Sequence, residues 1–329
     1  MRLPGEGDDA RFPTVSRWLK GSKPAHSLRY GEPDIDFFSL FAPHWEEILS
    51  TLERVGPDRL GSRRRRFRRD VENNWGLRVE LLVGYLLARD GLHFEFGPEG
   101  GAAVSSPDLL VFFDDESVAI EVTSRSPEGL AALIGEMERD LAEFPVRFQL
   151  QLASWTRLRR DDRREAIETL RLACLELADA RGELQVELPI LEGRALLTSP
   201  AAMEILVFGS QFRSDIGAAE VVLADAVNEK GAAARDGDWP AHVVLVVDLA
   251  NAGFAASSRP PGVWAGVLQE LVATFDDLPF VAIAVVTSSL TSVKFQGAMC
   301  LVRRGDPEVS SIVVRLANAL GLVLAPDCR

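Results

Sequence analysis

The stretch Ser106-Pro107-Asp108-Leu109-Leu110-Val111-Phe112-Phe113-Asp114-Asp115-Glu116-Ser117-Val118-Ala119-Ile120-Glu121-Val122-Thr123 decides how this chain is read. Two apolar runs, 109–113 and 117–123, flank Asp114-Asp115, the pattern of a β-hairpin with a two-residue loop. Such a loop pairs Phe113 with Glu116, and the same register carried onward sets Asp108 opposite Glu121. Directly opposed residues have Cβ atoms ~5 Å apart on one face of the sheet. Two carboxylates so placed repel unless something lies between them, and a hard divalent cation with oxygen ligands fits that place. Thr123 shares their face by period-2 alternation, while Ile120 and Val122 point into the opposite layer. The plainer alternative makes Asp108 a turn residue and Glu121 a solvent-facing edge residue. Against it stands the otherwise apolar run Val118–Val122, in which a carboxylate is expensive to embed.

A third acid lies upstream. The segment Leu77-Arg78-Val79-Glu80-Leu81-Leu82-Val83-Gly84-Tyr85-Leu86-Leu87 is apolar on nearly every side, so it reads as a buried helix. Glu80 has Gly76, Leu77, Val83 and Gly84 as its helical neighbours, and a carboxylate in that setting requires a partner. A shared metal and a salt bridge to a nearby arginine both satisfy it.

Outward from the hairpin, residues 1–33 read as an irregular arm and Asp36–Arg54 as an amphipathic helix. A long helix is expected over Arg68–Arg89, stopped by Asp90-Gly91, and a strand over Leu92–Phe96. Ser126-Pro127 starts a helix whose apolar positions are Leu130, Leu133, Ile134, Met137 and Leu141. Pro145 ends it, and Val146–Leu152 alternates as a strand. Further helices are expected at Asp161–Ala180, Ile216–Ala234, Trp264–Phe275 and Val309–Leu320. The strands among them are Leu184–Leu188, Arg194–Thr198, Glu204–Phe208, His242–Leu249, Phe280–Thr287 and Gly297–Val302. Helices alternating with wholly apolar strands give an α/β fold with a sheet covered on both faces.

Composition excludes several chemistries. Cys174, Cys300 and Cys328 are far apart with no CxxC pair, which removes zinc clusters and disulfide frameworks. Four histidines, no phosphate-loop glycine pattern and no G-x-S-x-G leave metal-histidine, nucleotide-loop and serine-hydrolase readings without support. The N-terminal residues lack a signal-like apolar run and no aliphatic run is long enough for a bilayer, so the expectation is a cytoplasmic protein without a membrane partner. A net charge of −13 speaks against broad phosphate binding. The basic residues are nevertheless clustered at Arg63, Arg64, Arg65, Arg66, Arg68 and Arg69, and again at Arg157, Arg159, Arg160, Arg163 and Arg164. The first cluster leads into the Glu80 helix and is a candidate phosphate contact. The second is interleaved with Asp161, Asp162 and Glu165, where local ion pairs account for it. Only Lys20, Lys23, Lys230 and Lys294 can supply an ammonium.

A helical Glu, a Pro-Asp on one strand and Glu-x-Lys on the next form the signature of the PD-(D/E)xK nuclease superfamily. The chain resembles it through Glu80, Pro107-Asp108 and Glu121-Val122-Thr123, and residues 68–152 resemble its restriction-endonuclease-like α-β-β-β-α-β core, a mixed sheet flanked by helices. The corresponding division is an N-terminal arm and helix at 1–60, a nuclease-like core at 61–153 and an α/β extension at 154–329 continuous with the core. The resemblance implies that Asp108 and Glu121, with Glu80 bound directly or through water, hold Mg²⁺ or Mn²⁺ and that the protein hydrolyses phosphodiester bonds in DNA. It departs from the family at Thr123, which occupies the position of the motif lysine. Lys230, reaching in from its helix, or Arg125, two residues on along the same face, are the substitutes available, with Gln149 and Gln151 as polar contributors. Arginine is the poorer base because it stays protonated. The alternative is a nuclease-fold protein that has lost catalysis and binds a partner protein or nucleic acid.

Overall fold

The computed structural model describes residues 11–20, 37–69, 75–98, 106–114, 116–125, 130–152, 160–180, 182–191, 193–201, 203–209, 216–236, 239, 242–250, 259–275, 277–289, 292–302 and 307–326. They form a mixed α/β structure with two sheets, one in each of two compact units. The first unit takes the described residues of 1–124, 222–250 and 257–329, and the second those of 125–221.

In the first unit, helices α1 (Pro13–Leu19), α2 (Phe37–Val55), α3 (Leu60–Arg69) and α4 (Trp75–Arg89) precede β1 (His93–Phe96), β2 (Leu109–Phe113) and β3 (Glu116–Ser124). The hairpin has the expected register: Phe113 pairs with Glu116 and Leu109 with Ile120. Asp114 sits at φ 46°, the left-handed backbone that tight hairpin loops require. β1 runs antiparallel to β2, with Phe96 beside Leu109. Phe94, Phe96, Leu109, Val111 and Ile120 therefore share a face and are all buried. Helix α4 covers that face: a methyl group on Gly84 would lie 3.0 Å from the Phe96 ring.

The fourth strand of this sheet is not 147–152. It is β8 (Val243–Asp248), parallel to β3 with Glu121 beside Leu245, and it follows helix α7 (Ile216–Asp236). The sheet continues through β9 (Ala282–Thr287), β10 (Gln296–Leu301) and β11 (Val323–Leu324), giving the order β1-β2-β3-β8-β9-β10-β11. Helix α8 (Pro261–Ala273) makes the crossover between the parallel strands β8 and β9, and α9 (Pro307–Leu320) joins β10 to β11. Every residue of β8 and β9 is buried, as continuous Val/Ile/Ala runs demand of strands covered on both sides.

The second unit holds α5 (Leu130–Asp140), α6 (Arg160–Ala180) and a sheet of β4 (Arg147–Leu152), β5 (Gly182–Leu188), β6 (Gly193–Ser199) and β7 (Glu204–Gly209) in the order β5-β6-β4-β7. Phe148, Leu150, Ala195 and Leu197 form its buried face. Arg147, Gln151 and Arg194 stand exposed on the other.

Four expectations are thereby corrected. The core does not close at residue 153, because strand 147–152 pairs within the second sheet and β8 takes the fourth place. The segment 154–329 is not one extension, since its described residues are divided between both units. The arm at 1–33 contains α1, for which no local cap is readable because its cap is remote: Thr14 N–H and Val15 N–H donate to the Glu46 carboxylate of α2 at 2.9–3.0 Å. The helix expected over 68–89 is also two elements, with Arg63–Arg69 inside α3 rather than leading into it.

Gly97 fixes the close approach of β1 and the start of β2. Its N–H donates to the Asp108 carbonyl at 2.7 Å, and a methyl group there would sit 1.8 Å from the Pro107 carbonyl oxygen. Gly97→Ala is expected to lower the unfolding free energy by at least about 2 kcal/mol, measured by urea denaturation, because backbone on both sides must part to admit the methyl.

Candidate functional site

Asp108 is the residue at which the β2–β3 ladder ends. One step beyond the Leu109–Ile120 pair, its Oδ2 accepts a hydrogen bond from the Val122 N–H at 2.8 Å, so its side chain replaces a ladder carbonyl. Glu121 lies on β3 next to that amide and is 5% exposed. The Asp108 carboxyl lies close enough to Glu121 to feel its charge. Burial, with the neighbouring Glu121, holds the Asp108 carboxyl well above the usual carboxylate range. Burial likewise raises Glu121, against the pull of Lys230.

Lys230 is the sequence-expected substitute that does reach the site. It projects from α7, whose Ala219, Leu223, Ala226 and Val227 form the buried stripe, and its Nζ lies 2.5 Å from Glu121 Oε1. Glu121 Oε2 is buried and receives no hydrogen bond. Thr123 is buried on the same strand face as Glu121. Arg125 falls past the end of β3 and belongs to the second unit. Gln149 and Gln151 are on β4 of the second unit, where Gln151 accepts from Arg194 at 2.6 Å. The first unit builds its acidic cluster without any of these three.

Glu80 is brought beside Asp108, yet its oxygens are engaged by arginine. Arg63 Nε donates to Oε2 at 3.2 Å and Arg66 Nη1 to Oε1 at 2.7 Å. Burial, then the Asp108 charge, push its carboxyl up to about 7 in spite of both arginines. Of the two partners open for Glu80 in the sequence, the arginines are the ones present. Among the described residues, no group of three or more His, Cys, Asp or Glu side chains is arranged to hold a metal. Asp108 and Glu121 remain a two-carboxylate, all-oxygen pair, and the orphaned, buried Glu121 Oε2 fits a hard cation such as Mg²⁺ or Mn²⁺.

The arginines of α3 separate by environment. Arg63 is fully buried, Arg64 donates to the Arg17 carbonyl at 2.9 Å, and Arg65 is exposed beside Arg59 and Ser62 on a surface cleft. Among the described arginine side chains of α3, Arg66 alone is both partly exposed and in contact with the acidic cluster. The side chains of Arg68 and Arg69, and residues Arg157 and Arg159, lie outside the described residues. Arg163 pairs with Glu136 of α5 at 3.0 Å.

A second polar cluster had no signal in the sequence. Asp248, wholly buried at the end of β8, accepts from Ser288 N–H at 2.9 Å, Ser288 Oγ and Ser124 Oγ at 3.1 Å, and Ala250 N–H at 3.2 Å. It ties the ends of β3, β8 and β9 together. Burial raises its carboxyl, and burial lowers the nearby Arg78 to about 10.

The acidic cluster gives the fold a definite pH dependence. Asp108, Glu121 and Glu80 each hold a proton more tightly folded than unfolded, so their contribution is full below pH ~4 and is lost as pH rises, for Asp108 and Glu80 through about 7. The expected result is a metal-free protein whose melting temperature falls across that window, with a shallower fall in Asp108→Asn. Thermal melts of both proteins from pH 4 to 8 measure it.

Among the described residues no helix is long and apolar enough to cross a membrane. Compared with models of protein families, with curated proteins and with solved structures, the chain matches none of them.

Proposed function

We propose that this protein is a metal-dependent nuclease of the PD-(D/E)xK kind that hydrolyses phosphodiester bonds in DNA, with Lys230 in the role of the missing strand lysine. The observation that carries the reading is the Lys230 ammonium at 2.5 Å from Glu121, beside an Asp108 whose carboxylate is fixed by Val122 N–H. The order of elements supports it. Helix α4, the antiparallel strands β1, β2 and β3, helix α7 and the parallel strand β8 follow the α-β-β-β-α-β order, with α5, α6 and the strands β4–β7 inserted before α7.

In this reading Asp108 and Glu121 would hold Mg²⁺ or Mn²⁺, which when bound supplies Lewis-acid stabilisation of phosphoryl charge and a more acidic water. Glu121 orients Lys230 through Oε1, leaving the other N–H donors of the ammonium for a water or a phosphate oxygen. The Thr123 hydroxyl shares that face and can hold a water without adding charge. Val122 N–H keeps Asp108 aimed at the same point. Incubation of the protein with supercoiled plasmid and with single-stranded DNA, in Mg²⁺ and in Mn²⁺, is expected to produce cleavage. No cutting of either substrate in either metal overturns the catalytic reading.

A second reading, a non-catalytic nuclease-fold module that binds a protein or nucleic acid, is favoured by Thr123 at the motif position and the net charge of −13. It expects no heat of Mn²⁺ binding by calorimetry and no effect of Glu121→Gln on partner binding.

A further inference from the structure

Arg63 is an unusual residue to find inside this unit. Its side chain is 2% exposed, it comes from an arginine-rich helix, and every nitrogen of its guanidinium is engaged. Nε donates to Glu80 Oε2 at 3.2 Å, Nη1 to the Gly97 carbonyl at 2.6 Å and Nη2 to the Asp108 carbonyl at 3.1 Å. The guanidinium also lies over the Phe96 ring, 5.0 Å from its centroid. One planar cation therefore bridges α3, α4, the residue after β1 and the residue before β2.

We infer that Arg63 is the positioning residue for Asp108: its bridge to the Asp108 and Gly97 carbonyls sets the backbone from which the Asp108 carboxylate reaches Val122 N–H and Glu121. The geometry requires the bond to Asp108 to be made by a rigid group, since Asp108 lies one residue outside the β2–β3 ladder. Two contacts hold its carbonyl, the Gly97 N–H and Arg63. Gly97 cannot hold it unaided, because its own carbonyl is oriented by the same guanidinium. The planar fork reaches two carbonyls and a carboxylate from three separate nitrogens; a lysine ammonium offers its donors from a single nitrogen without that fixed spread. Glu80 serves as the counter-charge that allows a guanidinium to be buried there. The inference rests on the proposed role of Asp108 for its functional meaning, though not for its structural test.

Val122 N–H reports the position of the Asp108 side chain directly, because that side chain is its acceptor. Amide hydrogen exchange by NMR on the metal-free protein is the first measurement, with wild type, Arg63→Met and Arg63→Lys. The expected result is exchange at Val122 accelerated about 10-fold more than at Leu245 and Val246, which lie in the adjacent strand. Arg63→Lys, which keeps a cation in place, carries the test should Arg63→Met fail to fold. A purely structural role would speed all core amides together, and uniform acceleration in the folded variants overturns the inference. Calorimetric titration with Mn²⁺ is the second arm, with affinity expected to fall about 10-fold in the variants. Wild-type Mn²⁺ affinity in a folded variant also overturns the inference. If wild type itself binds no Mn²⁺, the metal reading of the site fails, while the Val122 result still decides the positioning role.

Discussion

Replacing Asp108 with asparagine is expected to reduce Mn²⁺-dependent DNA cleavage by about 10³-fold or more while leaving the protein folded. The substitution keeps shape and keeps an oxygen that can accept from Val122 N–H, so the end of the hairpin stays in place. What it removes is the charge opposite Glu121. A neutral amide beside one carboxylate holds a divalent cation far more weakly than two carboxylates, and charge stabilisation at such centres is worth several kcal/mol. The same change relieves a buried like-charge contact, so the metal-free variant should be no less stable than wild type at pH 7.5. Cleavage assays and melts together separate the two effects. A variant that cuts DNA within 10-fold of wild type would remove Asp108 from the chemistry.

Lys230→Met is expected to lower cleavage by about 10²–10³-fold, the range that a positioned proton-transfer or electrostatic group contributes. It also leaves the Glu121 carboxylate buried without a counter-charge. The unfolding free energy of the metal-free protein should fall by about 2 kcal/mol, less than the full penalty for a broken buried pair because the Lys230 side chain is about a quarter exposed. Lys230→Arg divides the roles. It preserves the cation, so stability should return. Activity should return with it only if the ammonium acts as a fixed charge, since guanidinium does not give up a proton at working pH. Single-turnover cleavage with the three proteins measures this, and unchanged rates in Lys230→Met would place the lysine outside the site.

Much of this was legible before any coordinates. The hairpin followed from two apolar runs around Asp114-Asp115, and its register from the length of that loop, because period-2 alternation allows no intermediate setting. The facing of Asp108 and Glu121 is a consequence of that local geometry. Lys230 is legible in the sequence as an available substitute on its helix, but no local pattern shows that it reaches Glu121. The partner of Glu80 was undecided between metal and arginine, since both compensate a buried carboxylate equally well in principle. Arg63 was grouped with its exposed neighbours because a run of basic residues carries no mark of the one that turns inward.

What the sequence by itself determined is most of the helices and strands and the register of one hairpin, since these depend on interactions between residues a few positions apart. The tertiary structure alone decided which strand lies beside β3. Strand 147–152 alternates and strand 243–248 is almost wholly apolar, but neither pattern names the strand it pairs with. It also decided that an ammonium 109 residues from Glu121 stands at the acidic pair, and that Arg63 and Arg66 close on Glu80. Those choices come from long-range packing, in which burying one apolar stripe of α7 brings Lys230 to Glu121, and burying Arg63 beneath Phe96 sets Asp108.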